Sequence, residues 1–274
     1  MLGFNGNRLP LTVVNAFITE TPFSGNPAAV VLLEAWPEDA LLAAMANQHN
    51  LSETAFIVPT EDFFALRWFT PTQEVTLCGH ATMAAACALV DWGCADSHVV
   101  FSTASGVLEA QVYTDSESLE CEITLPSPTI APVPVPAGLE AALGVPILAC
   151  ATTASAPWQL ICELSRASEV AELNPDMVAL SDATPHCVIA TAKGGDTDIV
   201  SRFFGPQVGV PEDPVTGSAH TLLYPYWASK LGKTVLSARQ LSRRGGLLTL
   251  TPDTAAVRLT GACQIYSRGR IDLP

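Results

Sequence analysis

The sequence predicts an α+β protein built from two similar halves, and three observations carry that prediction. Runs rich in β-formers alternate with runs that carry apolar residues at helical spacing. A proline-rich break, "LPSPTIAPVPVPAGLEAALGVP" from Leu125 to Pro146, holds six prolines and reads as a stiff connector without helix or central strand. A pattern in the first half also returns in the second. Arg67-Trp68-Phe69-Thr70-Pro71 leads to a polar turn at Gly79 and an apolar helix. Arg202-Phe203-Phe204-Gly205-Pro206 leads to "EDPVTGSAH" and then "TLLYPYWASKLG". This echo implies two pseudo-symmetric domains, 1–126 and 127–262, with two matching helix N-termini expected to face one cleft.

The elements follow in order. "LTVVNAFI" is a strand by its β-formers, and "PFSGNP" is a turn by its Pro, Ser, Gly and Asn. "AAVVLL" is a short buried strand. "PEDALLAAMANQ" is a helix with Pro37 near its start and two acids in its first turn. "ETAFIVP" and "ALRWFTP" are strands closed by proline. "ATMAAACALVDWG" is apolar on nearly every side, so it reads as a buried helix stopped at Gly93.

Composition narrows the function. Across 274 residues, 49% hydrophobic content and a mean hydropathy of +0.31 supply a sizeable core. No apolar run reaches the roughly 18–20 residues that span a bilayer, and "MLGFNGNRLP" lacks the pattern of a signal peptide. Eight scattered cysteines with no CxxC pair point to reduced thiols and a cytoplasmic setting. A net charge of −14 argues against a nucleic-acid partner. Residues 1–137 carry 15 acids but only two bases, Arg8 and Arg67. An anionic substrate would therefore be held there by backbone N–H groups or neutral side chains, and Arg67 is expected to have a carboxylate partner.

Several stretches carry chemistry. "CGHAT" and "VTGSAH" each open a helix with glycine beside small or polar residues. The unpaired N–H groups of a helix N-terminus favour a carboxylate or phosphate, although simple capping by Thr or Ser explains either turn alone. Neither is a phosphate loop, because G-x-x-x-x-G-K-[ST] is absent. Glu53 of "NLSETAFIV" is either a solvated strand end, which spacing favours, or a buried acid/base. Asp213 in "PEDPVTGSAH" is either a turn residue or an acid that orients a partner or shuttles a proton. His80 and His220 are acid/base groups or satisfied structural histidines. Cys78, beside His80, could be a nucleophile, a metal ligand or an acid/base thiol. Metal binding is not expected, since Cys and His do not fall in close ligand pairs. No G-x-S-x-G elbow supports a Ser-His-Asp triad.

Taken together, "VNAFITETPFSGNPAAVV", "NLSETAFIV", "LRWFTPTQEVTLCGHATMAAA", "EDPVTGSAH" and "ARQLSRRGG" resemble, in order and spacing, the phenazine-biosynthesis isomerase-like (PhzF-like) family. The resemblance implies the diaminopimelate-epimerase fold, with two similar domains that each wrap a β-sheet around a central helix. It also implies that residues 263–274 cross back to the first domain, and that the protein is a homodimer.

For function it implies a cofactor-independent isomerase acting on a small carboxylate, as in the isomerisation of trans-2,3-dihydro-3-hydroxyanthranilate. Glu53 would be the general acid/base, with His80, Asp213 and Ser218 as its partners. Backbone groups at Gly79, Ala81, Thr216 and Gly217 would hold the substrate carboxylate. The epimerase branch of the fold uses two opposed cysteines. Cys78 matches the first, but Pro214 stands where the second belongs. A racemase, epimerase or lyase using Cys78, and a non-catalytic binding protein on the same frame, are the competing readings.

Overall fold

The computed structural model describes residues 8–115, 118–155 and 158–273. The first seven residues of "MLGFNGNRLP" lie outside this set. The chain divides into two compact units, residues 1–124 with 260–274, and residues 125–259.

Unit 1 begins with β1 (Arg8–Ala16), β2 (Asn26–Leu32), α1 (Asp39–His49), β3 (Glu53–Pro59), β4 (Phe64–Phe69) and β5 (Glu74–Val75). It continues with α2 (Gly79–Asp91), β6 (His98–Thr103), β7 (Gly106–Thr114) and β8 (Leu119–Pro126). β2 runs parallel to β3, β3 antiparallel to β4, β4 parallel to β6, and β6 antiparallel to β7. The sheet runs round α2, whose residues 79–89 are all buried and which packs on β1, β2, β3 and β7. A helix apolar on every face has to be enclosed in this way.

Unit 2 holds β9 (Ala131–Val133), α3 (Leu139–Leu143), β10 (Ala149–Thr152), β11 (Gln159–Glu163), α4 (Ala167–Glu172) and α5 (Met177–Ala183). It then runs through β12 (Cys187–Lys193), β13 (Ile199–Gly205), β14 (Val210–Asp213), α6 (Gly217–Leu231), β15 (Leu236–Gln240) and β16 (Gly246–Asp253). The pairing repeats that of unit 1. β11 is parallel to β12, β12 antiparallel to β13, β13 parallel to β15, and β15 antiparallel to β16. The last strand, β17 (Ala256–Asp272), pairs antiparallel with β1 from Ala16↔Cys263 to Arg8↔Asp272. Its Thr260 hydroxyl donates to Glu122 of β8 at 3.1 Å.

The proline-rich break departs from the sequence reading. It contains a strand, β9, and a short helix, α3. Pro132 fits because β9 spans three residues, so little ladder depends on the missing N–H. α3 starts after the last clustered proline and is closed by Gly144 in the left-handed conformation. Proline also sits inside α6, at Pro225. It cannot bond the Thr221 carbonyl one turn back, and the Ser127 hydroxyl donates to that carbonyl at 3.3 Å instead.

Both arginines of the repeated motif have acidic partners. Arg67 grips Glu74 with two hydrogen bonds of 2.7 Å and reaches Asp39 at 2.8 Å. Arg202 grips Glu212 at 2.7 and 3.0 Å. Each clamp ties the central strand to the short strand that feeds the buried helix. Each guanidinium also lies over a ring on its own strand, Phe69 at 5.2 Å and Phe204 at 4.9 Å. All eight cysteines are free, and no helix among the described residues is long and apolar enough to cross a membrane.

The tight enclosure of α2 is open to test. Ala85 is fully buried, so Ala85→Leu should overpack its surroundings and lower stability by about 1–3 kcal/mol. Urea unfolding measures the loss, and an unchanged midpoint would contradict close packing round the helix.

Candidate active site

The site in unit 1 is built from three chain segments. β1 ends at Ala16 and the chain turns back through Gly25 into β2. Gly25 has φ +76°, and a Cβ there would run into the Ala16 carbonyl oxygen. Glycine is required at that point, and the turn sets Asn26 at the start of β2 with no exposure. Glu53 opens β3, opposite Ala28 of β2. Cys78 caps α2 in an extended conformation, and Gly79 and His80 begin the helix.

These residues converge on His80, which is 3% exposed. Its Nε2 lies 3.2 Å from Glu53 Oε2, and the Glu53 side chain is 16% exposed. The two atoms are close but not aligned as a hydrogen bond, and neither has another partner among the described residues. On the other edge of the ring, Nδ1 lies 3.2 Å from Asn26 Nδ2 and 3.5 Å from Cys78 Sγ. An Asn N–H beside Nδ1 makes that nitrogen an acceptor, so the neutral ring carries its hydrogen on Nε2, facing Glu53. A second proton on Nδ1 requires only that the Asn26 amide turn over and offer its oxygen.

The titrations follow from these contacts. Burial works against a charge on His80, but Cys78 and Glu53 on either side outweigh it and raise its pKa well above the ordinary value. Burial, then the charge of Glu53, pushes Cys78 up to about 11, against the pull of His80 and the Ala81 N–H. Cys78 is therefore a thiol at neutral pH, unlike the low-pKa cysteines that act as nucleophiles.

Glu53, Cys78 and His80 offer ligand atoms within 4.8 Å of one another, the spacing of a cation site. The imidazole, however, turns one nitrogen to Glu53 and the other to Cys78, and a single ion takes only one. With a protonated thiol as third member, the cluster suits proton handling better than metal binding.

Unit 2 holds the second group of candidates. Thr216 caps α6, its N–H donates to Gln240 Oε1 at 2.9 Å, and its hydroxyl donates to the Asp213 carboxylate. Gln240 Nε2 also holds the Asp213 carbonyl at 2.8 Å. Thr216 is thus a correction to the sequence reading. Both its donors are committed, so it secures the turn and is not a free donor for substrate. Gly217 is the first α6 amide without an acceptor among the described residues, and Ser218 Oγ accepts from Gln159 Nε2 at 2.9 Å. Ala81 needs a similar qualification. Its N–H is directed to the Cys78 sulfur, which leaves Gly79 and His80 as the open amides of α2. His220 is structural. It is fully buried and donates from Nδ1 to the Thr216 carbonyl at 2.8 Å, and burial pushes its pKa down to about 4.

The structure therefore groups Glu53, Cys78, Gly79 and His80 in unit 1, and Asp213, Thr216, Gly217 and Ser218 in unit 2. Asn26, Gln159 and Gln240 are the residues that sequence reasoning passed over. Asn26 lay inside a stretch read only as a turn. Its one signal was a polar residue kept directly before an apolar strand.

Two units of mixed sheet with the same strand pairing, one of them around a buried helix that carries a carboxyl–imidazole pair at its N-terminus, define a protein of the epimerase-like α+β class. The comparisons narrow the class. The family model described as phenazine biosynthesis-like protein matches residues 14–269. An uncharacterized isomerase of Pseudomonas aeruginosa is 42% identical, over 97% of this chain and 100% of its own. A crystal structure of a PhzF-family phenazine biosynthesis protein from Enterococcus faecalis superposes with a TM-score of 0.88 at 39% identity, covering 97% of this chain and 100% of that one. A probable proline racemase from Agrobacterium radiobacter shares the fold alone, with a TM-score of 0.64 at 13% identity, covering 97% of this chain and 93% of that one. The chain belongs to the phenazine biosynthesis-like, or PhzF-like, family.

The buried His220 gives a pH signature. An unfolded histidine protonates near pH 6.5, whereas folded His220 does so only at about 4. Between these values the unfolded chain binds the extra proton, so stability falls as pH drops from about 6.5 to about 4. The loss is on the order of 3 kcal/mol. His220→Asn keeps a donor for the Thr216 carbonyl and should shrink the difference between urea unfolding at about pH 7 and about pH 4 by that amount.

Proposed function

We propose that the protein is a cofactor-independent isomerase that moves a proton between carbons of a small carboxylate substrate, with Glu53 as the acid/base. The observation that carries this reading is the Glu53–His80 pair. A carboxylate oxygen and an imidazole nitrogen, both shut from solvent, lie 3.2 Å apart with no other partner among the described residues. Buried polar atoms without partners are expensive in a folded core, and they persist where a ligand completes them.

The chemistry needs such a pair. A carbon-bound hydrogen is weakly acidic, so its removal takes a desolvated base and a group that steadies the charge left behind. Glu53 takes the proton from one carbon and returns it to another, so the carboxyl ends as it began and no oxidant or cofactor is consumed. The Nε2–H of His80 steadies Glu53 while it is ionised. The open amides of Gly79 and His80 sit at the positive end of α2, where a substrate carboxylate is favoured. In unit 2 the Gly217 amide and the Ser218 hydroxyl are donors suited to the same chemical class. The ring in trans-2,3-dihydro-3-hydroxyanthranilate, implied by the family resemblance, is the model substrate.

Cys78 is assigned no essential step, because its pKa of about 11 keeps it protonated and its sulfur takes up the Ala81 N–H. The test is incubation with the model substrate and related small carboxylates in D₂O, following deuterium at carbon by NMR. Wild type should exchange. Glu53→Gln should lose at least about 100-fold, the scale of a positioned acid/base. Cys78→Ala should stay within about threefold of wild type. Equal exchange by Glu53→Gln, or its loss in Cys78→Ala alone, would transfer the chemistry to the thiol.

A further inference from the structure

The N-termini of α2 and α6 receive the same contact from different residues. In unit 1 an amide at the start of β2, Asn26, meets the side chain of the second residue of α2, His80. In unit 2 an amide at the start of β11, Gln159, donates to the side chain of the second residue of α6, Ser218, at 2.9 Å. Both amides have no exposure. Their registers differ. Gln159 lies opposite Cys187 as Ala28 lies opposite Glu53, so Asn26 stands two positions earlier in its strand. The contact is thus repeated although the residue position and the amide are not.

Gln159 is also only half satisfied. Its Nε2 serves Ser218, while its Oε1 is shut from solvent with no partner among the described residues. A glutamine kept only to fill space at this point would carry that desolvation cost for nothing. What the amide does is fix a direction. By filling a lone pair of Ser218 Oγ, it leaves the serine hydrogen to point elsewhere, and that hydrogen has no acceptor among the described residues.

We propose that Gln159 is a positioning residue that turns the Ser218 hydroxyl outward as a hydrogen-bond donor for the carboxylate of the ligand. This rests on the reading of the protein as an enzyme of small carboxylates. Gln159 itself touches no reacting atom. It acts through Ser218, whose hydroxyl it orients.

The test is a double-mutant cycle on binding of 2-aminobenzoate, a carboxylate that cannot react, followed by isothermal titration calorimetry. Gln159→Met keeps the shape and removes the donor, and Ser218→Ala removes the hydroxyl. Each should weaken binding about tenfold, the worth of one buried hydrogen bond to a charged group. The double variant should lie within about twofold of Ser218→Ala alone, because a residue acting only through Ser218 has nothing left to act on. Gln159→Glu, which can only accept, should draw the hydroxyl inward and bind more weakly than Gln159→Met. Circular-dichroism melting selects the folded variants, and either Gln159 variant is sufficient for the cycle. Independent losses that multiply to about 100-fold in the double variant would overturn the inference and make Gln159 a packing residue. Wild-type affinity in both Gln159 variants would overturn it too. Failure of wild type to bind 2-aminobenzoate would instead bring down the carboxylate reading, and this inference with it.

Discussion

The rest of the structure depends on one constraint, the burial of α2 on every face. Residues 79–89 leave no side of this helix to water. Strands have to surround it, and the polar groups of the helix can appear only at its ends. The N-terminal end is the one with unpaired N–H groups and a partial positive charge. A small-residue composition, rich in alanine, allows the sheet to approach the helix closely. The same burial places His80 where its ring has no access to bulk water, so its state is set by that burial and by Asn26, Cys78 and Glu53.

The clamps at Arg67 and Arg202 keep that end in place. Each arginine joins a central strand to the acidic residue just before the helix, Glu74 or Glu212, by two charge-assisted bonds. Their Coulombic worth is modest where the partners are exposed, as at Asp39. Their value is geometric. A planar fork gripping a carboxylate fixes both direction and distance, so the turn that follows begins from a defined point.

Much of this was legible in the sequence. The run 81–93, apolar on nearly every side, announced a buried helix, the Arg-aromatic strand announced its repetition, and the isolation of Arg67 among acids announced an ion pair. What escaped notice depends on contacts between distant residues. Asn26 meets His80 across 54 positions and Gln159 meets Ser218 across 59. No local pattern marks an amide for such a task, and a turn-rich or apolar context hides it. Thr216 looked like a free donor because its acceptor Gln240 lies 24 residues away. The proline-rich break misled for a different reason. Proline density forbids long elements but tolerates a three-residue strand and a single helical turn.

The repeat is close in backbone and unequal in charge. With Arg67 matched to Arg202 in the strand ladders, the position of Glu53 in β3 falls on Cys187 in β12. Cys187 is 1% exposed, and burial pushes its pKa up to about 11. A frame present in two copies therefore keeps its carboxyl in one copy and an uncharged thiol in the other. Under the proposed reading this bears on handedness. Two opposed acids can strip a hydrogen from one side of a carbon and deliver another to the far side, which inverts a stereocentre. One acid has only one side from which to work, so a hydrogen that leaves one carbon of the ligand is delivered to another on that same face, and the transfer across a ring is suprafacial.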